Sequence, residues 1–283
     1  MLPSQSNQSQ SNIHVETVQS FGDEWERFDQ SELPEMEAIE IFEEYFAVFP
    51  WDALPKDSQG FDMGCGSGRW AKFVAPRVGH LHCIDPSSAI NVAQKLMINI
   101  NNVTFHQASI DELTLPTESQ DFGYSLGVLH HIPDTEDGLK KCVALLKPNA
   151  PFLLYLYYAF ENRSWLYRSI WLCSELFRRV VCRLPPKAKH LVTDTLAALI
   201  YWPLARGSWL LEQIHVPISG IPLSYYRKHS FYTMRTDSRD RFGTPLEKRF
   251  TRQQIEAIMK IAGLRDITFS EKAPFWCAVG IKA

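Results

Sequence analysis

The stretch FDMGCGSGRW, residues 61–70, decides the fold. Its glycines, Gly64, Gly66 and Gly68, are spaced G-x-G-x-G behind an aspartate, Asp62. A dinucleotide-binding turn needs G-x-G-x-x-G, with a third glycine or an alanine where Arg69 stands. Glycine has no Cβ and tolerates positive φ, so the loop lets backbone approach a ligand closely. Asp62 is a poor neighbour for a pyrophosphate and a good one for an ammonium group.

Outward from the loop, residues 59–63 read as the strand that enters it, and a helix is expected from about Arg69. Residues 81–84 form a second strand ending at Asp85, and Pro86-Ser87-Ser88 opens a helix running to about Ile98. Further strands are expected at 103–107, 121–125 and 151–158, with a helix at 139–146 stopped by Pro148. Downstream, 251–264 is a helix capped by Thr251 and Gly263, followed by antiparallel strands at 267–269 and 275–281. Upstream, apolar spacing from Phe21 to Phe49 gives two amphipathic helices broken near Pro34.

Strands alternating with helices imply βαβ units and a sheet covered on both faces. The expected fold is α/β: a Rossmann-like, doubly wound sheet of seven strands, mostly parallel with the last antiparallel. The expected organisation is a disordered tail (1–19), a helical arm (20–58), a core (59–160 and 251–283) and a helical, basic insertion (161–250). The insertion follows the fifth strand, on the carboxyl side of the sheet where open α/β folds bind ligands, so it reads as a cap over the site.

The chain has 283 residues, 45% of them hydrophobic, enough for one large core plus a sizeable insertion. The opening MLPSQSNQSQSN has neither the basic start nor the apolar run of a signal peptide. Six cysteines without a C-x-x-C pair argue against a zinc site or a disulfide scaffold and for a reduced, cytoplasmic setting. No metal constellation is evident. The net charge of −3 is uneven: residues 161–250 carry 15 Lys/Arg against 7 Asp/Glu, the remainder 14 against 25. A basic cap on an acidic body points to an anionic substrate or to membrane headgroups, or is simply a solvated surface.

A carboxylate at the end of the second strand, Asp85, can accept hydrogen bonds from both hydroxyls of a ribose. One carboxylate beside an amino acid and another beside a ribose together describe S-adenosylmethionine. DMGCGSGRW, HCIDPS, LGVLHHIPD and LKPNAPFLLYLYY, in that order, resemble the motifs of class I S-adenosylmethionine-dependent methyltransferases of the type 11 kind. The similarity covers about residues 59–160 and 251–283. It implies that Asp62, Gly64 and Gly66 line the methionine part of the cofactor, that Cys65 and Gly68 belong to the same cofactor-binding loop, and that S-adenosylhomocysteine is the product. It also implies that Asp85 holds the ribose and that Pro86 or Ser87 flanks the adenine. The segment after the third strand, where the family places Asp against the adenine amino group, has Ser109 there; its hydroxyl or the Ile110 backbone takes that role. Cys65 reads most simply as a small packing residue.

Methyl transfer needs alignment of nucleophile, methyl and sulfur, exclusion of water and often removal of one proton. Histidine suits the last task. LGVLHHIPD puts His130 and His131 just after the fourth strand, beside the cofactor methyl group of the resembled family. Adjacent residues point in different directions, so at most one faces the substrate; the other packs or caps a turn. Asp134 orients an imidazole or caps the next helix. The absence of an N/D-P-P-Y motif argues against adenine amino methylation.

From the cap, Tyr157, Tyr158, Arg163, Tyr226 and Arg241 are candidate acceptor contacts, since aromatic rings with guanidinium groups fit a sugar, phosphate or carboxylate. Alternatively Asp240, Arg241, Glu247 and Arg249 form a salt-bridged hinge. Residues 164–203 hold two apolar helices too short to span a bilayer; they lie in a membrane interface or pack as the cap's own core. Trp25 and Phe28 of the arm cover the cofactor or anchor the arm. The expected function is methyl transfer to an oxygen of a small or glycan-like anionic acceptor. Alternatives are an RNA methyltransferase, disfavoured by the slightly acidic chain without an RNA-binding module, and a non-catalytic cofactor-binding protein serving a partner. DNA is not an expected partner.

Overall fold

The computed structural model describes residues 11–283. Strand β1 (Gln59–Met63) pairs in parallel with β2 (His80–Ile84) on one side and β4 (Phe122–Leu126) on the other. With β3 (Val103–His106), β5 (Pro151–Tyr155), β6 (Leu264–Phe269) and β7 (Cys277–Lys282) the sheet order is β3-β2-β1-β4-β5-β7-β6. Only β7 runs against its neighbours β5 and β6. The chain winds from β1 outward to β3, then crosses to β4 on the other side. The carboxyl ends of β1 and β4 therefore flank a switch point, where a crevice opens.

Successive side chains along the strands feed opposite faces. Leu81, Cys83, Phe122, Tyr124 and Leu153 join Phe42, Phe46 and Val74 on one face. Phe61, Met63, Phe152 and Leu154 join Leu139, Val143, Ile255 and Met259 on the other. The first face is covered by α2 (Glu35–Tyr45), α3 (Ala71–Val74) and α4 (Ala89–Leu96), the second by α5 (Thr135–Leu145) and α10 (Arg252–Ile261).

Helix boundaries differ from the sequence expectation where capping chemistry overrides periodicity. α1 (Val15–Arg27) starts inside the segment expected to be a disordered tail, because the His14 side chain caps the Thr17 amide. The first ten residues of that tail lie outside the described residues. α3 is a single turn, cut off at Ala75–Arg77 where Pro76 interrupts it. α5 begins four residues early, since Asp134 accepts from the Asp137 amide at 3.0 Å; capping is thus Asp134's role.

Residues 161–250 form the helical cap: α6 (Trp165–Val181), α7 (Pro186–Leu196), a π-helical turn (Ala197–Tyr201), α8 (Trp202–Gln213) and α9 (Phe231–Gly243). Its small core is Val181, Tyr201, Ala205, Met234 and Phe242. α9 buries Thr233, Thr236, Ser238 and Arg239 alongside Tyr232, Met234 and Phe242, so its inner face is half polar. Among the described residues no helix is long and apolar enough to cross a membrane.

Candidate active site

The loop after β1 is shaped by its glycines. Gly64 and Gly66 have φ of 79° and 52°, and a Cβ on Gly64 would lie 2.4 Å from the Val128 methyls. The Gly64 and Cys65 amides both donate to the Ile84 carbonyl (2.8 and 2.9 Å), fixing the loop to the end of β2. Asp85 completes the turn: its Oδ2 accepts from the Gly66 amide at 2.9 Å, its Oδ1 from the Ser87 amide and hydroxyl at 2.8 and 2.6 Å. Burial raises the Asp85 carboxyl from its ordinary range, and these hydrogen bonds partly offset that.

Gly64, Cys65, Gly66, Asp85, Pro86 and Ser87 line one end of a cavity of about 610 Å³ between core, arm and cap. Four other residues expected at the cofactor lie off its wall. Asp62 is enclosed behind the loop, and burial raises its carboxyl well above the usual range. Gly68 serves close packing, since a Cβ there would meet Met97 at 2.8 Å. The Ser109 hydroxyl and amide are both taken by Glu112 at 2.9 Å, and Ile110 packs into the core beneath. The Ser109 hydroxyl is thus engaged by Glu112 and not turned to the cavity. The remaining cradle fits S-adenosylmethionine: a backbone turn that a Cβ would fill, with a buried carboxylate at its far end.

The two histidines separate. Both sit in the 3₁₀ turn Leu129–His131 after β4. His130 is fully buried, its ring tilted against Tyr157 (4.0 Å) and His131 (3.9 Å), with neither ring nitrogen hydrogen-bonded. It packs, and it is off the cavity wall. The His131 Nδ1 lies 2.6 Å from the Leu246 carbonyl. A carbonyl only accepts, so this nitrogen carries the proton, and Nε2 keeps its lone pair. That Nε2 has no hydrogen-bond partner and His131 lines the cavity. Burial pulls its pKa down to about 4, so the ring is neutral at pH 7.

Tyr157, Tyr158, Arg163, Tyr226 and Arg241 all line the cavity. Arg241 is also shared: Nη1 lies 3.2 Å from both Glu175 and Glu247, while Arg249 reaches Glu247 at 2.8 Å and Arg178 holds Glu175 at 2.7 Å. The hinge and the cavity wall are thus one structure. Asp240 stands apart from these ion pairs, accepting from the Tyr157 hydroxyl; burial first, and the charge of Glu247 next, raise its pKa to about 7.

Sequence reasoning missed Glu24, a fully buried residue on the cavity wall whose carboxylate oxygens have no hydrogen bond, with Arg239 3.7 Å away. On an amphipathic helix a glutamate reads as solvent-facing; only the docked cap buries it. Trp25 lines the cavity and lies against Gly66, where an added Cβ would come within 3.0 Å of its Nε1. Phe28 anchors the arm instead, edge-on to Tyr232 at 5.7 Å.

Residues 61–154 match a family model described as a methyltransferase domain. A ubiquinone biosynthesis O-methyltransferase of Coxiella burnetii is 26% identical over 164 residues, 56% of this chain and 66% of that protein. One from Acinetobacter baumannii is 24% identical over 178 residues, 55% of this chain and 72% of that protein. The chain thus spans about two thirds of the relatives' length. A S-adenosylmethionine-dependent methyltransferase structure from Aquifex aeolicus, 12% identical, aligns with a TM-score of 0.48 over 90% of this chain and 96% of that one. The matched segment runs from β1 through most of β5 and stops before the cap. Residues 61–154 are thus similar to a methyltransferase domain, and they lie on the part of the sheet that carries the glycine turn, Asp85 and the histidine pair.

Proposed function

We propose that this protein transfers a methyl group from S-adenosylmethionine to an oxygen of an acceptor held under the cap, with His131 as general base. The observation that carries the reading is the unpartnered His131 Nε2 on the cavity wall, its tautomer fixed from behind by Leu246. The cofactor supplies a methyl group already activated on a sulfonium. The protein's own residues bind, align and exclude water: the glycine turn and Asp85 hold one end, and Trp25 covers that turn. A neutral imidazole accepts the acceptor's hydroxyl proton as the oxygen attacks.

The acceptor proposed here has an aromatic or aliphatic body. Tyr155, Tyr157, Tyr158, Phe160, Trp171 and Phe275 line the cavity, and such walls suit an apolar ligand oriented by few polar groups. Arg241, expected to recognise an anion, is balanced by Glu175 and Glu247, and its neighbour Arg249 by Glu247. The same pairing weakens the RNA alternative, which needs arginines free for phosphates. The O-methyltransferase names of the two relatives support oxygen as the methylated atom.

Calorimetric titration of S-adenosylhomocysteine against NAD, with wild type and Asp85→Ala, tests the cofactor assignment. Expected is binding of the former alone, weakened about 100-fold in the variant, as for loss of two hydrogen bonds to a charged group. Binding of NAD, or equal affinity in the variant, overturns it.

A further inference from the structure

The helices of the cap do not bury their apolar surface. On α6 only Arg178 and Val181 are buried, and Val181 alone joins the cap's core. Trp165, Leu172, Leu176 and Val180 are 57–76% exposed. At 3.6 residues per turn they fall on one side of α6, bordered by Arg168 and Arg179, which are also exposed. Tyr167, Trp171 and Ser174, on the other side, line the cavity. Across the opening, Leu199 is 71% exposed and Trp202 is 48% exposed.

Ile170, Ile200 and Leu204 belong to both sets: each lines the cavity, and each is 40–49% exposed. They mark the mouth, and the mouth is flanked by the exposed apolar sides of α6 and of the turn before α8. Soluble monomers seldom expose apolar surface of this extent without a partner for it.

We infer that the cap is a membrane-interface module: α6 and the α7–α8 turn rest on a bilayer containing anionic lipid and present the cavity mouth to it. A lipid-soluble acceptor then passes sideways from the bilayer to His131 without crossing water. The occupant is argued from charge and composition together. Arg168, Arg179, Arg183 and Lys187 are exposed beside the apolar stripe, and exposed Trp165, Trp202 and Trp209 supply the amphipathic rings favoured at headgroup depth. No described helix is long enough to cross, so the contact lies in the interfacial plane. A second copy of this chain, equally basic on this face, would meet it with like charge. The inference deepens the proposed function and rests on it for the acceptor, though the membrane contact itself is read independently of turnover.

The test is co-sedimentation of the full chain with vesicles of phosphatidylcholine mixed with phosphatidylglycerol, and with vesicles of phosphatidylcholine alone. The variant is Leu172→Glu/Leu176→Glu, two residues off the cavity wall, with S-adenosylhomocysteine affinity measured on both proteins. Expected is partitioning of the wild type to the anionic vesicles, weaker on phosphatidylcholine and at high salt, and lost about tenfold or more in the variant. Cofactor affinity stays unchanged. Wild type left in the supernatant, equal sedimentation of the variant, or a dimer in ultracentrifugation that the variant dissociates would each overturn it. Failure of cofactor binding alone would instead sink the methyltransferase reading and leave the vesicle result standing.

Discussion

Replacing His131 by asparagine separates its chemistry from its packing. The asparagine amide nitrogen falls close to where Nδ1 lies, so it retains a donor for the Leu246 carbonyl while removing Nε2. Loss of a general base lowers turnover about 10²–10⁴-fold. S-adenosylhomocysteine affinity should not move, because the cofactor cradle is built from other loops. A second readout comes from proton linkage. The folded ring titrates at about 4, against about 6.5 when unfolded, so below pH 6.5 the unfolded chain binds a proton that the fold refuses. The folded state keeps its full stability at pH 7 and loses it as pH falls toward 4. From pH 7 to pH 5 this one group accounts for about 2 kcal/mol. Urea denaturation at the two pH values should show the variant less acid-sensitive by that amount. Full turnover in the variant refutes the base. Unchanged acid sensitivity refutes the buried neutral imidazole on which the tautomer argument stands.

Asp240 should show the opposite pH dependence. Its carboxyl, near 7 when folded, is ionised in the unfolded chain at lower pH, so it destabilises increasingly as pH rises. Asp240→Asn keeps an acceptor for Tyr157, and its stability advantage should grow by about 2–3 kcal/mol between pH 5 and pH 8. A gap independent of pH in urea melts would refute this. Glu247→Gln leaves Arg241 and Arg249 short of a buried counter-charge. A loss of about 3–5 kcal/mol in chemical denaturation is expected, and a loss under about 1 kcal/mol would show the network to be solvent-screened.

The parts of the fold legible in the sequence are those where local chemistry and global geometry agree. FDMGCGSGRW allowed one turn, and strands followed by Asp85, by the histidine pair and by Tyr157 placed those residues at one end of the sheet. What escaped was decided by contacts distant in sequence. Which histidine lines the cavity depends on a 3₁₀ turn and on Leu246, 115 residues away. Asp62 sits beside the glycines in sequence, yet the pleat turns it behind the loop. α9 is hard to read because its buried residues mix Tyr232, Met234 and Phe242 with Thr233, Thr236, Ser238 and Arg239, which periodicity reads as solvent-facing. For α6 the period reveals an apolar side but not what covers it.

The arm touches both halves of the molecule. Trp25 lies on the glycine turn, while Ser20 bonds the Gly243 carbonyl at 3.1 Å and Asp23 holds Arg239 at 3.0 Å, both on α9. One helix is therefore a latch common to the floor and the roof of the chamber. Any displacement of Trp25 from the turn would pull on the same helix whose Ser20 and Asp23 hold α9. Floor and roof are in this way mechanically joined through one short helix, so a disturbance at either end is felt at the other.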